Sequence, residues 1–127
     1  MKTEIMFFVR DVEASSRWYQ SVLGLKSGHG GPHYEMITDE QKNLLFQLHH
    51  LDGDEHGDVA MTNETRRGAG VLVYLPVADV RAVFAHAKAQ SANVRSEPDF
   101  IELAGHTEFR LHDPDGYAIV PYQRGKH

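Results

Sequence analysis

The chain has 127 residues, carries a formal charge of −5 with its histidines neutral, and contains no cysteine. Its size suits one compact domain, and the missing thiols exclude disulfides, thiolate nucleophiles, Cys-ligated zinc and iron–sulfur clusters. No basic stripe is present to neutralise phosphates and no apolar stretch is long enough to span a membrane, so nucleic acid and bilayer are not expected partners, while the acidic field favours a cationic ligand.

Residues 4–10 alternate as a strand, with Ile5, Phe7 and Val9 on one face and Glu4, Met6 and Phe8 on the other. This run is too short for a signal segment, and a soluble cytoplasmic protein is the expectation. Asp11 is placed to cap a helix, and Glu13 lies in the first turn, where the helix dipole favours an anion. Val12, Tyr19, Val22 and Leu23 share a helical face, Trp18 lies beside them, and Gly24 suits a left-handed stop. Runs at about 25–29, 33–38 and 43–50 read as three strands. The glycine-rich stretch 28–32 joins strand to strand, so it is a turn rather than a phosphate cradle, which must open a helix.

Residues 51–69 are polar and read as a linker; its Asn63-Glu64-Thr65 sequon has no meaning in a cytoplasmic protein. A strand follows at 71–75, and Asp79 then caps a helix in which Val80, Val83, Phe84 and Ala87 share a face. Asn93 is the expected left-handed stop. Strands are predicted at about 94–102, 106–112 and 117–122, with Asp113-Pro114-Asp115-Gly116 turning the last hairpin.

The order β-α-β-β-β therefore occurs twice. The repeat shows in the residues themselves: Val-Arg-Asp-Val-Glu-Ala at 9–14 and Val-Ala-Asp-Val-Arg-Ala at 77–82. The expected fold is α+β: one domain over residues 1–127, with a first module at about 1–50, a linker at about 51–69 and a second module at about 70–127. Each helix covers one face of its sheet. The two remaining faces curve around one cavity, and functional residues are sought there.

The stretches Val9-Arg10-Asp11-Val12-Glu13, Trp18-Tyr19, Leu23-Gly24-Leu25 and 109–117 (Phe-Arg-Leu-His-Asp-Pro-Asp-Gly-Tyr) resemble the vicinal oxygen chelate superfamily, which includes glyoxalase I, bleomycin-resistance proteins and extradiol dioxygenases. The resemblance covers essentially the whole chain, and it implies the duplicated fold and a homodimer. It also implies a metal held by one ligand on the first and one on the last strand of each module. Those positions fall on Glu4 and Gln47 in the first module and on Leu72 and Val120 in the second. Hydrocarbon side chains donate no lone pair, and a shift of one residue only substitutes Val71 or Val73 and Ile119 or Pro121. The resemblance to the metal-dependent lyases, dioxygenases and fosfomycin-type transferases thus fails at the metal.

What remains on the expected cavity face is a set of polar and aromatic groups. Glu4, Gln47, His49, His106, Glu108 and Arg110 would give a ligand polar contacts. Met6, Phe8, Leu72, Tyr74, Val120 and Tyr122 would give apolar area, with Phe8 and Tyr74 matched across the modules. The sequence-based reading is a small-molecule binding protein of the bleomycin-resistance type that sequesters its ligand with no cofactor. The alternative is a glyoxalase-like lyase or isomerase, or a dioxygenase, with a divalent metal on His49, His106 and Glu108. A metal-free variant uses His106 and Glu108 as the catalytic proton-transfer pair. His29 and His33 flank the first turn, His50 and His56 lie at or beyond a strand end, and His86 and His127 are expected in solvent.

Overall fold

The computed structural model describes residues 1–52 and 67–127. Most of the expected linker, with Asn63 and His56, lies outside the described residues. The chain divides into two compact units, Met1–Thr65 and Arg66–His127.

The first unit runs β1 (Met6–Val9), α1 (Val12–Leu23), β2 (Lys26–His29), β3 (Tyr34–Thr38), β4 (Leu44–His50). Its sheet has the order β1-β4-β3-β2, with β1 parallel to β4 and the other pairs antiparallel. The helix starts where the Asp11 carboxylate accepts a 2.9 Å hydrogen bond from the Ala14 amide. It stops where Gly24 turns left-handed at φ 69°. Val12, Tyr19 and Val22 are buried beneath it, and the small Ser15 and Ser16 are buried with them. From the sheet, Phe7 stacks on Phe46 at 4.8 Å, and Tyr19 meets Phe46 edge-on at 4.8 Å. Trp18 packs edge-on against Tyr19. The strand expected over 4–10 is shorter: β1 begins at Met6 and leaves Glu4 exposed. Leu51 is also no part of a polar linker, since it is buried against Phe8 with Met6 alongside.

Among the described residues of this unit, Glu35 is the one charged side chain buried on the helix side of the sheet, in register with Leu48. A Cβ at Gly30 would collide with its carboxyl group. Burial raises its pKa above the ordinary carboxylate value, a hydrogen bond with Ser27 partly opposes this, and the nearby Glu13 charge adds to it. The folded state thus holds this proton more tightly than the unfolded chain. The stabilisation is complete below the unfolded carboxylate pKa and is lost as pH rises through the folded one. Glu35→Gln is therefore expected to flatten the fall in melting temperature between about pH 4 and 7 and to be the more stable protein at the upper end. Thermal melts across that range check this.

The second unit runs β5 (Leu72–Pro76), α2 (Val80–Ala89), β6 (Asn93–Val94), β7 (Asp99–Ile101), β8 (His106–Glu108), β9 (Leu111–His112), β10 (Ala118–Arg124). The order is β6-β9-β10-β8-β7, with β5 parallel to β10 on its other side. Asp79 caps α2 by accepting from the Ala82 amide at 3.1 Å. Phe84 of α2 meets Phe109 edge-on at 5.3 Å. The left-handed residue after α2 is Ser91 (φ 57°), not Asn93, which instead opens β6. The Ala92 amide closes the helix end on the Ala87 carbonyl, so the turn is completed before Asn93 is reached.

Two expected strands are broken. The run 94–102 splits into β6 and β7 around 95–98, and 106–112 splits into β8 and β9 at Phe109 and Arg110. Pro98 has no amide to donate to a ladder. At the break the Arg95 amide donates to the Arg110 carbonyl at 2.7 Å, and the Arg110 amide donates to Ser96 Oγ at 2.9 Å. A hydroxyl there takes over a ladder position.

The repeat holds in register. Met6 lies opposite Gln47, and Tyr74 lies opposite Val120. Met6 and Tyr74 each stand five residues before the capping aspartate of their unit. The equivalent of Tyr74 is therefore Met6; Phe8 corresponds to Pro76, which corrects the expected Phe8–Tyr74 match. The last hairpin turns on Asp113, whose buried Oδ1 accepts from the Asp115 and Tyr117 amides, each at 2.9 Å. Gly116 sits at φ 99°, where a side chain would be strained.

Candidate functional site

Each sheet keeps one face for its helix, and strand alternation sends the sequence-predicted residues to the other. In the first unit, Phe46 and Leu48 are buried on the helix side, while Gln47 and His49 point away. His49 packs against Phe8 at 5.5 Å, and its Nδ1–H donates to the His50 carbonyl at 2.8 Å. Gln47 Oε1 accepts from the Tyr34 hydroxyl at 2.5 Å. Tyr34 was missed in the sequence, although it alternates with the buried Glu35 and Ile37 of β3 and that pattern alone would have placed it here. Its pKa is raised by burial first and by the Glu4 carboxylate second, which puts Glu4 beside this hydroxyl although it lies outside β1. The arrangement is a short polar string, Glu4–Tyr34–Gln47, flanked by Met6, Phe8 and His49.

In the second unit, Thr107, Phe109 and Leu111 are buried on the helix side. His106 and Glu108 point the other way, and His106 Nε2 meets Glu108 Oε1 at 2.6 Å, with both side chains mostly shielded. A contact this short fixes the imidazole plane against the carboxylate. Tyr122 lies 4.8 Å from the His106 ring and Tyr74 lies 5.9 Å from it, while the two tyrosines are 5.8 Å apart. The Tyr74 phenol pKa is raised by burial, by the Glu108 charge and by a hydrogen bond with that carboxylate. Glu108 therefore accepts from two sides. Glu108→Gln is expected to lower the Tyr74 titration midpoint without returning it fully to the ordinary tyrosine range, since burial is the larger cause; ¹³Cζ resonances of labelled tyrosine read this directly.

Arg110 does not sit with Glu108 as expected. It falls in the strand break, is exposed, and acts on His112 instead. His112 has its pKa lowered by burial first, then by the Arg95 and Arg110 guanidiniums. His112 and Arg95 were also missed, although period two from Glu108 leads through Arg110 to His112. Leu72 is about half exposed on β5, whereas Val120 is fully buried in β10. His127 is exposed but tied down: its amide donates to Thr107 Oγ1 and its carbonyl accepts from Arg81 Nε. Among the described residues no three His, Asp or Glu side chains are grouped to hold a metal ion. Of the alternative set, His106 and Glu108 lie together in the second unit, and His49 belongs to the first. No helix among them is long and apolar enough to cross a membrane.

Comparison with known proteins bears on the same features. The chain aligns over 97% of its length with a protein of unknown function from Agrobacterium tumefaciens (25% identity, 94% of that chain, TM-score 0.74). It aligns over 98% with a glyoxalase-related enzyme from Fulvimarina pelagi (16% identity, 88% of that chain, TM-score 0.77). It aligns over 94% with a glyoxalase/bleomycin resistance protein/dioxygenase family enzyme from Burkholderia phytofirmans (21% identity, 95% of that chain, TM-score 0.75). No curated protein matches the sequence. The family model for the Glyoxalase/Bleomycin resistance protein/Dioxygenase superfamily matches residues 3–120, and with the paired βαβββ units described above it establishes that the chain belongs to that superfamily.

Proposed function

We propose that the chain is a small-molecule binding protein of the bleomycin-resistance type, which holds its ligand without the four-ligand metal centre of its catalytic relatives. The observation that carries this reading is the side-chain chemistry at the second unit's two ligand positions. Leu72 and Val120 stand on the parallel pair β5–β10 and offer only hydrocarbon. Of the first unit's two candidates, Gln47 already gives its amide oxygen to Tyr34. This donor set does not fit a metal. Aromatic walls with a few fixed polar groups, as at Tyr74, Tyr122, His106 and Glu108, suit an organic ligand. The net charge of −5 favours a cationic one. A cytoplasmic homodimer is part of the same proposal.

A thermal-shift screen of the full chain tests it, with cationic antibiotics including bleomycin, thiol adducts, catechols and divalent ions as probes. Binding at 100 times Kd stabilises the folded state by about 2.7 kcal/mol, a readily visible shift. The expected result is a rise with an organic cation that survives added chelator. Stoichiometric zinc, nickel, manganese or iron in protein purified without chelator would overturn it.

A second reading is favoured by the 2.6 Å His106–Glu108 contact. A carboxylate that orients an imidazole is a proton-transfer pair, and it would serve a metal-free lyase or isomerase. Turnover that vanishes in both His106→Gln and Glu108→Gln, with ligand binding retained, is the result that would favour it.

A further inference from the structure

The open face of the second sheet carries opposite charges at its two ends. One end is the row of Tyr122 and Glu108, which lie opposite each other, with His106 and the Tyr74 phenol on the carboxylate. The other end is the row of Ala118 and His112. There the exposed Arg95 and Arg110 both bear on the imidazole. They are held together by the strand break, where Arg95 donates its amide to the Arg110 carbonyl at 2.7 Å. Among the described residues no carboxylate pairs with either guanidinium. In a chain with 18 acidic and 13 basic residues, two adjacent arginines beside a part-buried histidine, with no acidic partner among the described residues, form a locally basic patch. Ala118 and Tyr122 are four residues apart on β10, so the two rows lie about 13 Å apart at roughly 3.3 Å per residue. The row of Tyr74 and Val120 occupies the interval, and Leu72 lies level with Ala118 on the neighbouring strand.

We infer that Arg95, Arg110 and His112 form an oxyanion subsite, and that the ligand is two-headed: a carboxylate or phosphate at this end, an ammonium at Glu108, and an apolar spacer crossing the intervening row of Tyr74 and Val120. The inference rests on the small-molecule binding reading above and names the ligand class for it. Guanidiniums bind carboxylate and phosphate through paired N–H donors, which an exposed arginine pair can supply without the cost of desolvating a buried charge. An ammonium finds at Glu108 both a counter-charge and the faces of two tyrosines. Joining the two heads on one spacer turns the second contact into an intramolecular event.

The test uses probes that carry one head or both. Octanoate and octyl phosphate carry only the anion, octylamine only the cation, and 8-aminooctanoate both, roughly 10 Å apart when extended, from bonds of about 1.5 Å. Amide shift perturbations of the ¹⁵N-labelled full chain read weak binding site by site. Octanoate or octyl phosphate is expected to move Asn93, Arg110 and His112, and the tighter of the two identifies the head group. Octylamine is expected to move Glu108 and Tyr122. The two-headed probe should move both sets with a Kd lower by about tenfold or more. The double variant R95Q/R110Q removes only exposed charge, and it should abolish the anion response together with the tenfold gain. The inference is overturned if the anions leave residues 93 and 110–112 unmoved, or if the gain survives in R95Q/R110Q. If that happens while a cationic antibiotic still binds, the small-molecule reading stands without its anion subsite. If no probe of either screen binds, both fall.

Discussion

Phe46→Ala is expected to lower the unfolding free energy by about 3–5 kcal/mol, a large share of what a domain of this size possesses. Phe46 is fully buried, and it is the residue on which the first unit converges. Phe7 of β1 stacks on one side of its ring, and Tyr19 of α1 abuts it edge-on. Truncation removes the ring's burial and both aromatic contacts, and it opens a cavity between helix and sheet that neither Phe7 nor Tyr19 can fill from a relaxed rotamer. Trp18 is the only tryptophan of the chain and packs on Tyr19, so its fluorescence follows this core through a urea titration. A shift in midpoint corresponding to less than about 1 kcal/mol would show that the unit's core lies elsewhere.

Asp113→Ala should cost about 3 kcal/mol, through hydrogen bonding rather than volume. One buried carboxylate oxygen accepts from the amides of Asp115 and Tyr117, and the Asp113 amide donates to the Tyr117 carbonyl at 2.9 Å. Alanine leaves two donors of a tight turn without their acceptor, and each such bond to a charged group is worth roughly 1.5–3 kcal/mol. Asp113→Asn keeps one oxygen and should cost less than half as much. Amide exchange at Tyr117 and Ile119 is the local readout. If those two amides stay protected in Asp113→Ala, the backbone bonds of the turn hold it without the carboxylate.

The same two places show why the fold was legible in the sequence. Phe46 opens the alternating stretch Phe46-Gln47-Leu48-His49, and Asp113 opens a turn whose residue types admit few other geometries. Asp11, Asp79 and Gly24 act locally, through one side chain or one dihedral angle, and their positions are those expected. Failures came where geometry depends on something distant. Asn93 has the left-handed propensity, but the helix end was already closed at Ser91, and propensity yields to that. The break at Phe109 and Arg110 depends on Ser96 taking a ladder bond, a partner 14 residues away that no local pattern announces. The site suffered accordingly. His106 and Glu108, inside an unbroken strand, lie together as alternation requires. Arg110, inside the break, lies by Arg95 and His112 instead. Tyr34 and His112 lie on the correct parity of strands that carry no expected ligand position, so alternation alone places them beside the site.

The first sheet pairs main chain to main chain across β2, β3 and β4, with a register shift in each of the two pairs, so its outline there is set by the backbone itself. In the second sheet a hydroxyl performs that duty beside the two arginines, and the outline there is set by a replaceable group. If the proposed anion subsite is real, selection can thus reshape it at residues 95–98 and 110 while the folding core of either half keeps its bonds. A combinatorial library confined to those five positions is the economical route to altering that proposed subsite.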